Sequence, residues 1–402
     1  MGCHATSDDK SWTAPSESRK DPWVRRTPDA SLDLRDIQTE QEIVMKHIFL
    51  AIAVALMTCF VGHSHAQTQS PKKMERLFYY GDRESAYKSL EEHIDEITIV
   101  APIAYNVDAN GVVWGEVDPR VIELARKHDV EVMPLIHNRA FNQKLLHRLL
   151  KDPVAVDRML RTLIHICAQN KFAGIQFDFE DLNINDRDPF TNMCRKAAEE
   201  FHKHGLILSL ALVRPVTPEE SPNTTTYLAW LYENWRAGYD LEQLGKIMDF
   251  MSLMAYAQHT GRTTPGPGGT MPWVVAGLKY VLKYVPSDKI SIGIPLSSKL
   301  WYTAFDASPS DPSTKYAHST AKTLNYEEAQ GVLEQFNAKA HWDEKDKVNY
   351  AVVDNDGLFE YLFISDARSF KAKLELVRKY NLRGFSAFVL GYEDPQIWKV
   401  IR

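Results

Sequence analysis

The stretch FAGIQFDFED, residues 172–181, decides how the rest of the chain is read. Side chains alternate along a β-strand, so Gln176, Asp178 and Glu180 fall on one face and Ile175, Phe177 and Phe179 on the other. An apolar trio of this kind belongs against a layer of helices, and the polar trio toward the axis of a barrel. Glu180 then stands at the C-terminal rim of its strand, where barrel enzymes hold their chemistry. Two carboxylates at successive same-face positions repel each other when both are ionised. One of the pair is therefore expected to keep its proton near neutral pH and act as a donor. The plainer alternative is a pair bridged by Arg or Lys.

Working outward, seven more stretches read as strands: RLFYYGD (76–82), ITIVAPIAYNV (97–107), VEVMPLIHN (130–138), LILSLALVR (206–214), FMSLMAYAQ (250–258), KISIGIPL (289–296) and GFSAFVLGYE (384–393). Between them run helical patterns at 84–95, from the Asp118-Pro119 cap to 128, 141–170 with a break at Asp152-Pro153, 189–204, 225–248, 272–284 and 366–380. Apolar strands alternating with helices imply a parallel sheet covered on both faces. Eight such units predict an α/β fold of the (β/α)8 TIM-barrel class. The rival, a doubly wound open sheet, lacks a glycine-rich phosphate loop after its first strand. The gap between the seventh and eighth strands is too long for one helix. Residues 300–365 hold a capped helix, AKTLNYEEAQGVLEQF, and a hairpin around Asn355-Asp356-Gly357, and are expected to form a small α+β insertion above the barrel.

The 402-residue chain has 47 basic and 53 acidic side chains and a net charge of −6, which argues against nucleic acid as a partner. Hydrophobic residues make up 44% and charged residues 25%, so a large core is available without staples. Four cysteines exclude a disulfide-dense scaffold. Cys167 and Cys194 lie late and early in the helices flanking the fourth strand, toward opposite ends of the barrel, and are expected as buried free thiols. Residues 1–44 are polar and without period. Met45-Lys46-His47 then opens an apolar run, IFLAIAVALMTCFV (48–61), too short to cross a bilayer comfortably, followed by Ser64-His65-Ala66. That layout is a signal peptide over 45–66, with cleavage before Gln67. On this reading translation starts at Met45 and residues 1–44 are a disordered leader or an over-extended start. The domain 67–402 is secreted or placed in the cell envelope, with no stable membrane span after cleavage. A lipoprotein reading through Cys59 is weakened by Thr58.

GIQFDFE (174–180) resembles the D-G-x-D-x-D-x-E signature of glycoside hydrolase family 18, the chitinase family. MAYAQ (254–258) resembles the family's M-x-Y-D segment, PGPGGTMPWV and KISIGIPL its following loop, helix and seventh strand, and GFSAFVLGYEDPQIW (384–398) its eighth-strand ending. The likeness extends over about residues 76–402, and its flavour is closest to the bacterial spore-cortex and germination-type N-acetylglucosaminidases. The insertion at 300–365 matches the family's own in place. The resemblance implies a glycosidase that cleaves β-1,4-linked N-acetylglucosamine polymers, chitin or peptidoglycan, by substrate-assisted retention, with neither cofactor nor metal. It assigns Glu180 as proton donor and then base, Asp178 as partner of the acetamide N–H, and Tyr256 as donor to the acetamide oxygen. Met254 would line the same pocket, Gln176 would hydrogen-bond Asp178, and Phe388 would form the sugar's floor where the family usually has Trp. Ala173 and Gln176 replace the first two aspartates of the signature, and Ala257 the aspartate that usually follows the tyrosine.

Further candidates for sugar contact are Tyr105 and His137, at the ends of the second and third strands, and His259 at the rim. Trp273 and Trp301 are candidate aromatic platforms, with packing as the alternative. Neither an H-E-x-x-H nor an Asp-His-His grouping points to a metal-dependent barrel. Two other functions remain open: a chitinase-like sugar-binding barrel with weak or no catalysis, and an endo-enzyme acting on N-linked glycans. Oligomeric state is not legible.

Overall fold

Strand β6 (Gly174–Asp178) is buried on both faces, as a strand between a barrel interior and a helical layer must be. Gly174 sits where a Cβ would come within 1.9 Å of the Ile207 carbonyl oxygen, so only glycine lets the neighbouring strand approach. The computed structural model describes residues 74–217, 220, 226–260, 263–302 and 321–402. The expected leader and signal segment lie outside the described residues.

In chain order the first strands are β1 (Glu75–Tyr80), β2 (Ile99–Val107), the two-residue β3 (Val113–Trp114), β4 (Glu131–Val132) and β5 (Leu135–Asn138). After β6 come β7 (Ile207–Val213), β8 (Phe250–Met254), β9 (Ile290–Pro295) and, after an insertion, β15 (Gly384–Phe388). Apart from β3, which pairs antiparallel with β2, these strands pair in parallel in that order, and β1 pairs with both β2 and β15, which closes the barrel. The third of the eight positions is shared by β4 and β5, divided at Met133-Pro134, because proline has no N–H to give to the ladder. The helices are α1 (Glu84–His93), α2 (Pro119–Lys127), α3 (Gln143–Lys151), α4 (Pro153–Asn170), α5 (Arg187–Lys203), α6 (Thr226–Leu231), α7 (Leu241–Ile247) and α8 (Met271–Val281). Asp152 divides α3 from α4 by accepting hydrogen bonds from the Val154 and Ala155 N–H groups, with Pro153 at the first helical position.

The expected helix over 225–248 is broken. A π-turn at Tyr232–Arg236 follows α6, and the chain then straightens before α7. Gly238 is pressed against the loop after β6, where a Cβ would lie 2.5 Å from Leu182 Cβ, so the chain there follows that loop and not a helix axis. Asp240 then caps α7 by accepting from the Gln243 N–H.

The main core lies between the barrel and its helices and includes Ile175, Phe177 and Phe179. A smaller cluster fills the interior with Leu77, Tyr79, Ile99, Ala101, Met133, Leu135 and Phe250. Cys167 and Cys194 are buried and free, and burial pushes the Cys167 thiol up to about 12. Among the described residues no helix is long and apolar enough to cross a membrane.

The insertion is a five-stranded antiparallel sheet in the order β11-β10-β14-β13-β12. Its strands are β10 (Ser298–Trp301), β11 (Ala321–Leu324), β12 (His341–Asp343), β13 (Val348–Asn355) and β14 (Leu358–Ile364). Helix α9 (Tyr326–Gln335) carries the capping box expected from its sequence, made by Asn325 and Glu328. The β13–β14 hairpin turns at Asp356-Gly357, both with positive φ (54° and 83°), the geometry that favours Asp-Gly in two-residue turns. Helix α10 (Ala367–Lys379) returns the chain to β15, and α11 (Ile397–Ile401) ends it.

Candidate active site

The strand alternation read from the sequence is present. Phe179 packs edge-on against Phe190 of α5 at 6.3 Å, on the helical side. Gln176 is fully buried on the interior side, where its Oε1 accepts from the Tyr79 hydroxyl at 2.8 Å and its Nε2 donates to the Ser209 and Ser252 hydroxyls at 3.1 Å. With both ends of its amide engaged below the mouth, Gln176 supports the interior and is not a surface for sugar. This corrects its assignment as a substrate contact, and its hydrogen bonds go to the β1, β7 and β8 side chains instead of Asp178.

One layer higher, Asp178 is almost wholly buried, and its Oδ1 has no hydrogen-bond partner among the described residues. Burial, and then the charge of Glu180, push its carboxyl well above the usual carboxylate range. Glu180 lies two residues beyond and is partly exposed. Burial raises its pKa to about 7, the positive charge of Arg236 acts against that rise, and Asp181 adds to it. The expected retained proton is therefore a property of both carboxyls together.

The backbone that presents Glu180 is held from three sides. Asn138 at the end of β5 accepts from the Glu180 N–H at 3.2 Å and donates to its carbonyl at 3.4 Å. The Tyr239 hydroxyl donates to the Phe179 carbonyl at 2.7 Å, and Gln143 Nε2 donates to the Asp181 carbonyl at 2.8 Å. Asp181 has φ 58°, a left-handed residue that turns the chain immediately after Glu180.

Tyr256 follows β8, and its ring stacks on Phe388 at 5.4 Å with the planes 25° apart. Burial and the nearby Tyr79, Asp178 and Glu180 groups raise the Tyr256 hydroxyl well above its ordinary value, so it is a hydrogen-bond donor at neutral pH. Phe388 also meets Tyr79 edge-on at 5.5 Å. Met254 ends β8, is half-buried and packs against the main core. Asp178, Glu180, Tyr256 and Phe388 thus lie close to one another. Ala257 is exposed with φ 62°, a conformation that suits Asn or Asp better than Ala.

Two other expected contacts are placed elsewhere. By alternation from Leu135 and its partner Ile103, Tyr105 would face the interior. A register shift between Ile103 and Tyr105 inserts one residue and turns Tyr105 outward, where it is buried in the helix-side core near Ile122 and Ile166. Trp301 is fully buried, with Nε1 donating to the Gly266 carbonyl at 3.0 Å, so it fastens the glycine-rich loop to the insertion and presents no face to ligand. Trp273 is half-buried, and one face is covered by the Arg214 guanidinium 4.4 Å from its centroid. His137 stays at the rim in register with Asp178, and its ring tilts against Phe141 at 5.6 Å. His259 is tied within its own loop through Nδ1 and the Thr264 carbonyl at 3.0 Å.

The sequence reading passed over Tyr79, Asn138, Arg236 and the edge-to-face pair Trp230–Trp235, whose centroids are 4.7 Å apart. Trp230 is exposed, and the pair sits on the segment whose Asn234 Oδ1 accepts from Asn183 Nδ2, over the loop that follows Glu180.

A family model described as glycosyl hydrolases family 18 matches residues 76–393. An uncharacterized glycosylase, YvbX, of Bacillus subtilis is 22% identical over 360 residues, spanning 88% of this chain and 98% of that protein. A cortical fragment-lytic enzyme of Bacillus subtilis is 25% identical over 322 residues, spanning 79% and 70%. Among solved structures, a chitinase from Chromobacterium violaceum superposes with a TM-score of 0.71 at 23% identity, covering 82% of this chain and 98% of that one. That likeness speaks for the fold.

Proposed function

Because this chain belongs to the glycosyl hydrolases family 18 and is a glycosidase, we propose that it cleaves β-1,4-linked N-acetylglucosamine polymers by substrate-assisted retention. The observation that carries the reading is the convergence of a buried Asp178, a Glu180 poised near neutrality and the stacked Tyr256–Phe388 pair at the C-terminal end of the barrel. The substrate's acetamide oxygen attacks the anomeric carbon while Glu180 passes its proton to the departing glycosidic oxygen. The carbon–oxygen bond breaks and an oxazolinium ion is left. A pKa of about 7 suits both directions of transfer, because the same carboxylate next takes a proton from the water that attacks the anomeric carbon.

Asp178 Oδ1, which has no partner among the described residues, accepts the acetamide N–H, which orients the group and stabilises the positive charge that develops on it. Tyr256 is kept protonated and donates to the acetamide oxygen. Phe388 supplies a flat apolar face under the sugar. Chitin and peptidoglycan both carry the N-acetyl group this scheme requires, and the likeness to a chitinase and to a cortical fragment-lytic enzyme favours testing both.

The test incubates the purified protein with chitin hexamer and with purified peptidoglycan, and reads products by mass spectrometry and the first-formed anomer by NMR. Release of β-anomeric products, inhibited by a thiazoline mimic, is expected. If wild type and Glu180→Gln are equally inert on chitin, peptidoglycan and glycoprotein, the sugar-binding reading replaces this one. We also propose export through the segment 45–66; N-terminal sequencing of the exported protein should find Gln67 or a near neighbour, and retention of that segment would contradict it.

A further inference from the structure

Arg236 closes the π-turn and is half-buried beside the site, close enough for its charge to act on Glu180. That action lowers the acid's pKa, against the direction a proton donor needs, so the first step of the reaction does not account for an arginine here. Nor does folding: Nη1 donates to the neighbouring Trp235 carbonyl at 3.3 Å, and Arg236 forms no ion pair among the described residues.

Its surroundings are otherwise balanced. Arg236 lines a cavity of ≈ 310 Å³ with Arg187, Tyr232, Tyr239, Asp240 and Glu242. Asp240 is engaged by Arg187 at 3.2 Å and by the start of α7, and Glu242 by Lys246 at 2.7 Å. Arg214, at the end of β7, is matched by Glu220. Among the described residues the guanidinium of Arg236 thus forms no ion pair with the carboxylates of this cavity, and the carboxyl its charge acts on, Glu180, does not line it. A planar fork of N–H donors in a partly dry site is suited to a carboxylate.

We propose that Arg236 receives a carboxylate borne by the substrate, next to the bond that Glu180 protonates. The inference rests on the functional reading above and narrows it: the substrate class is a β-1,4 glycan of N-acetylated sugars with acidic substituents, as in peptidoglycan, in preference to neutral chitin. The carboxylate has two sources, the lactyl ether of a stem-free strand or the peptide of a stem-bearing one.

Binding to the Glu180→Gln protein, followed by titration calorimetry, needs no turnover. Ligands are stem-free peptidoglycan oligomers with free lactyl carboxylates, the same oligomers as methyl esters, stem-bearing oligomers and chitin hexamer. The free acid is expected to bind at least about tenfold tighter than its ester, the weight of one charge-assisted hydrogen bond. Adding Arg236→Gln should bring that ratio close to one. If instead stem-bearing strands bind tighter than the free acid and lose the advantage with Arg236→Gln, the peptide is the source. Equal affinity for acid, ester and stem-bearing strands, a preference untouched by Arg236→Gln, or binding of chitin alone overturns the proposal. Binding of acidic strands that wild type fails to cleave overturns the catalytic reading and leaves this one standing.

Discussion

Gln176 and Asp178 lie two residues apart on one face of β6 and are built to opposite rules. Gln176 has partners for both ends of its amide, from β1, β7 and β8. Asp178 is also buried, yet it keeps an oxygen without a partner among the described residues and faces a second carboxyl. The lower layer is satisfied and holds the barrel together. The upper layer is left unsatisfied and electrostatically strained, which is the condition of a site that awaits a ligand. The difference teaches where stability ends and chemistry begins along a single strand.

The largest expected effect comes from the upper layer. Glu180→Gln removes the proton carrier but keeps its shape, and kcat on the productive glycan should fall by about 10²–10⁴; a loss smaller than tenfold would move the chemistry away from this residue. Next is the strain itself. Glu180 is raised from 4.5 to about 7, so between those values the folded protein holds more protons than the unfolded chain, and stability falls as pH rises through that window and levels off above it. Glu180→Gln abolishes its share of that fall and also removes the charge that adds to the Asp178 shift, leaving Asp178 with the part due to burial. Relative to wild type, the variant should therefore gain on the order of 3 kcal/mol between pH 4 and pH 8 in urea unfolding. A difference that does not change with pH would show that Glu180 is not held near neutrality.

The lower layer should respond in the other way. Gln176→Leu leaves the Tyr79, Ser209 and Ser252 hydroxyls without their amide and should cost about 2 kcal/mol, seen as a lower urea midpoint at every pH. A loss confined to alkaline pH would merge the two layers into one. The smallest effect belongs to Trp301→Phe, which deletes the bond to the Gly266 carbonyl and should lower stability by about 1 kcal/mol with glycan affinity unchanged. A marked loss of affinity would restore the platform role that its burial denies.

The barrel was legible because its strands are largely apolar and helices between them carry their own side-chain caps, at Asp118, Asn142, Asp152 and Asp240, both local properties of the chain. The polar face of β6 was legible for a similar reason, since alternation acts within one strand, and Glu180 follows two residues past its end. What failed depended on partners distant in sequence. Tyr79 meets Gln176 across 97 positions, and Asn138 reaches Glu180 across 42. No pattern near either residue announces the contact. Tyr105 was misplaced by a single inserted residue in β2, which inverts every later side chain without altering composition. Trp301 looked like a platform because tryptophan serves exposed and buried roles equally well, and only the folded loop at Gly266 separates them. Arg236 lay in a stretch read as continuous helix, where an arginine reads as solvated surface; the π-turn turns it into a neighbour of Glu180.

The insertion is tied to the barrel by hydrogen bonds at two separate places, Trp301 to the Gly266 carbonyl and the Met271 N–H to the Asp346 carbonyl, while Ser365 closes its base on Ser297 and Ser298. Because the two bonds lie far apart in the chain, any displacement of the insertion sheet against the glycine-rich loop and the start of α8 has to break both of them.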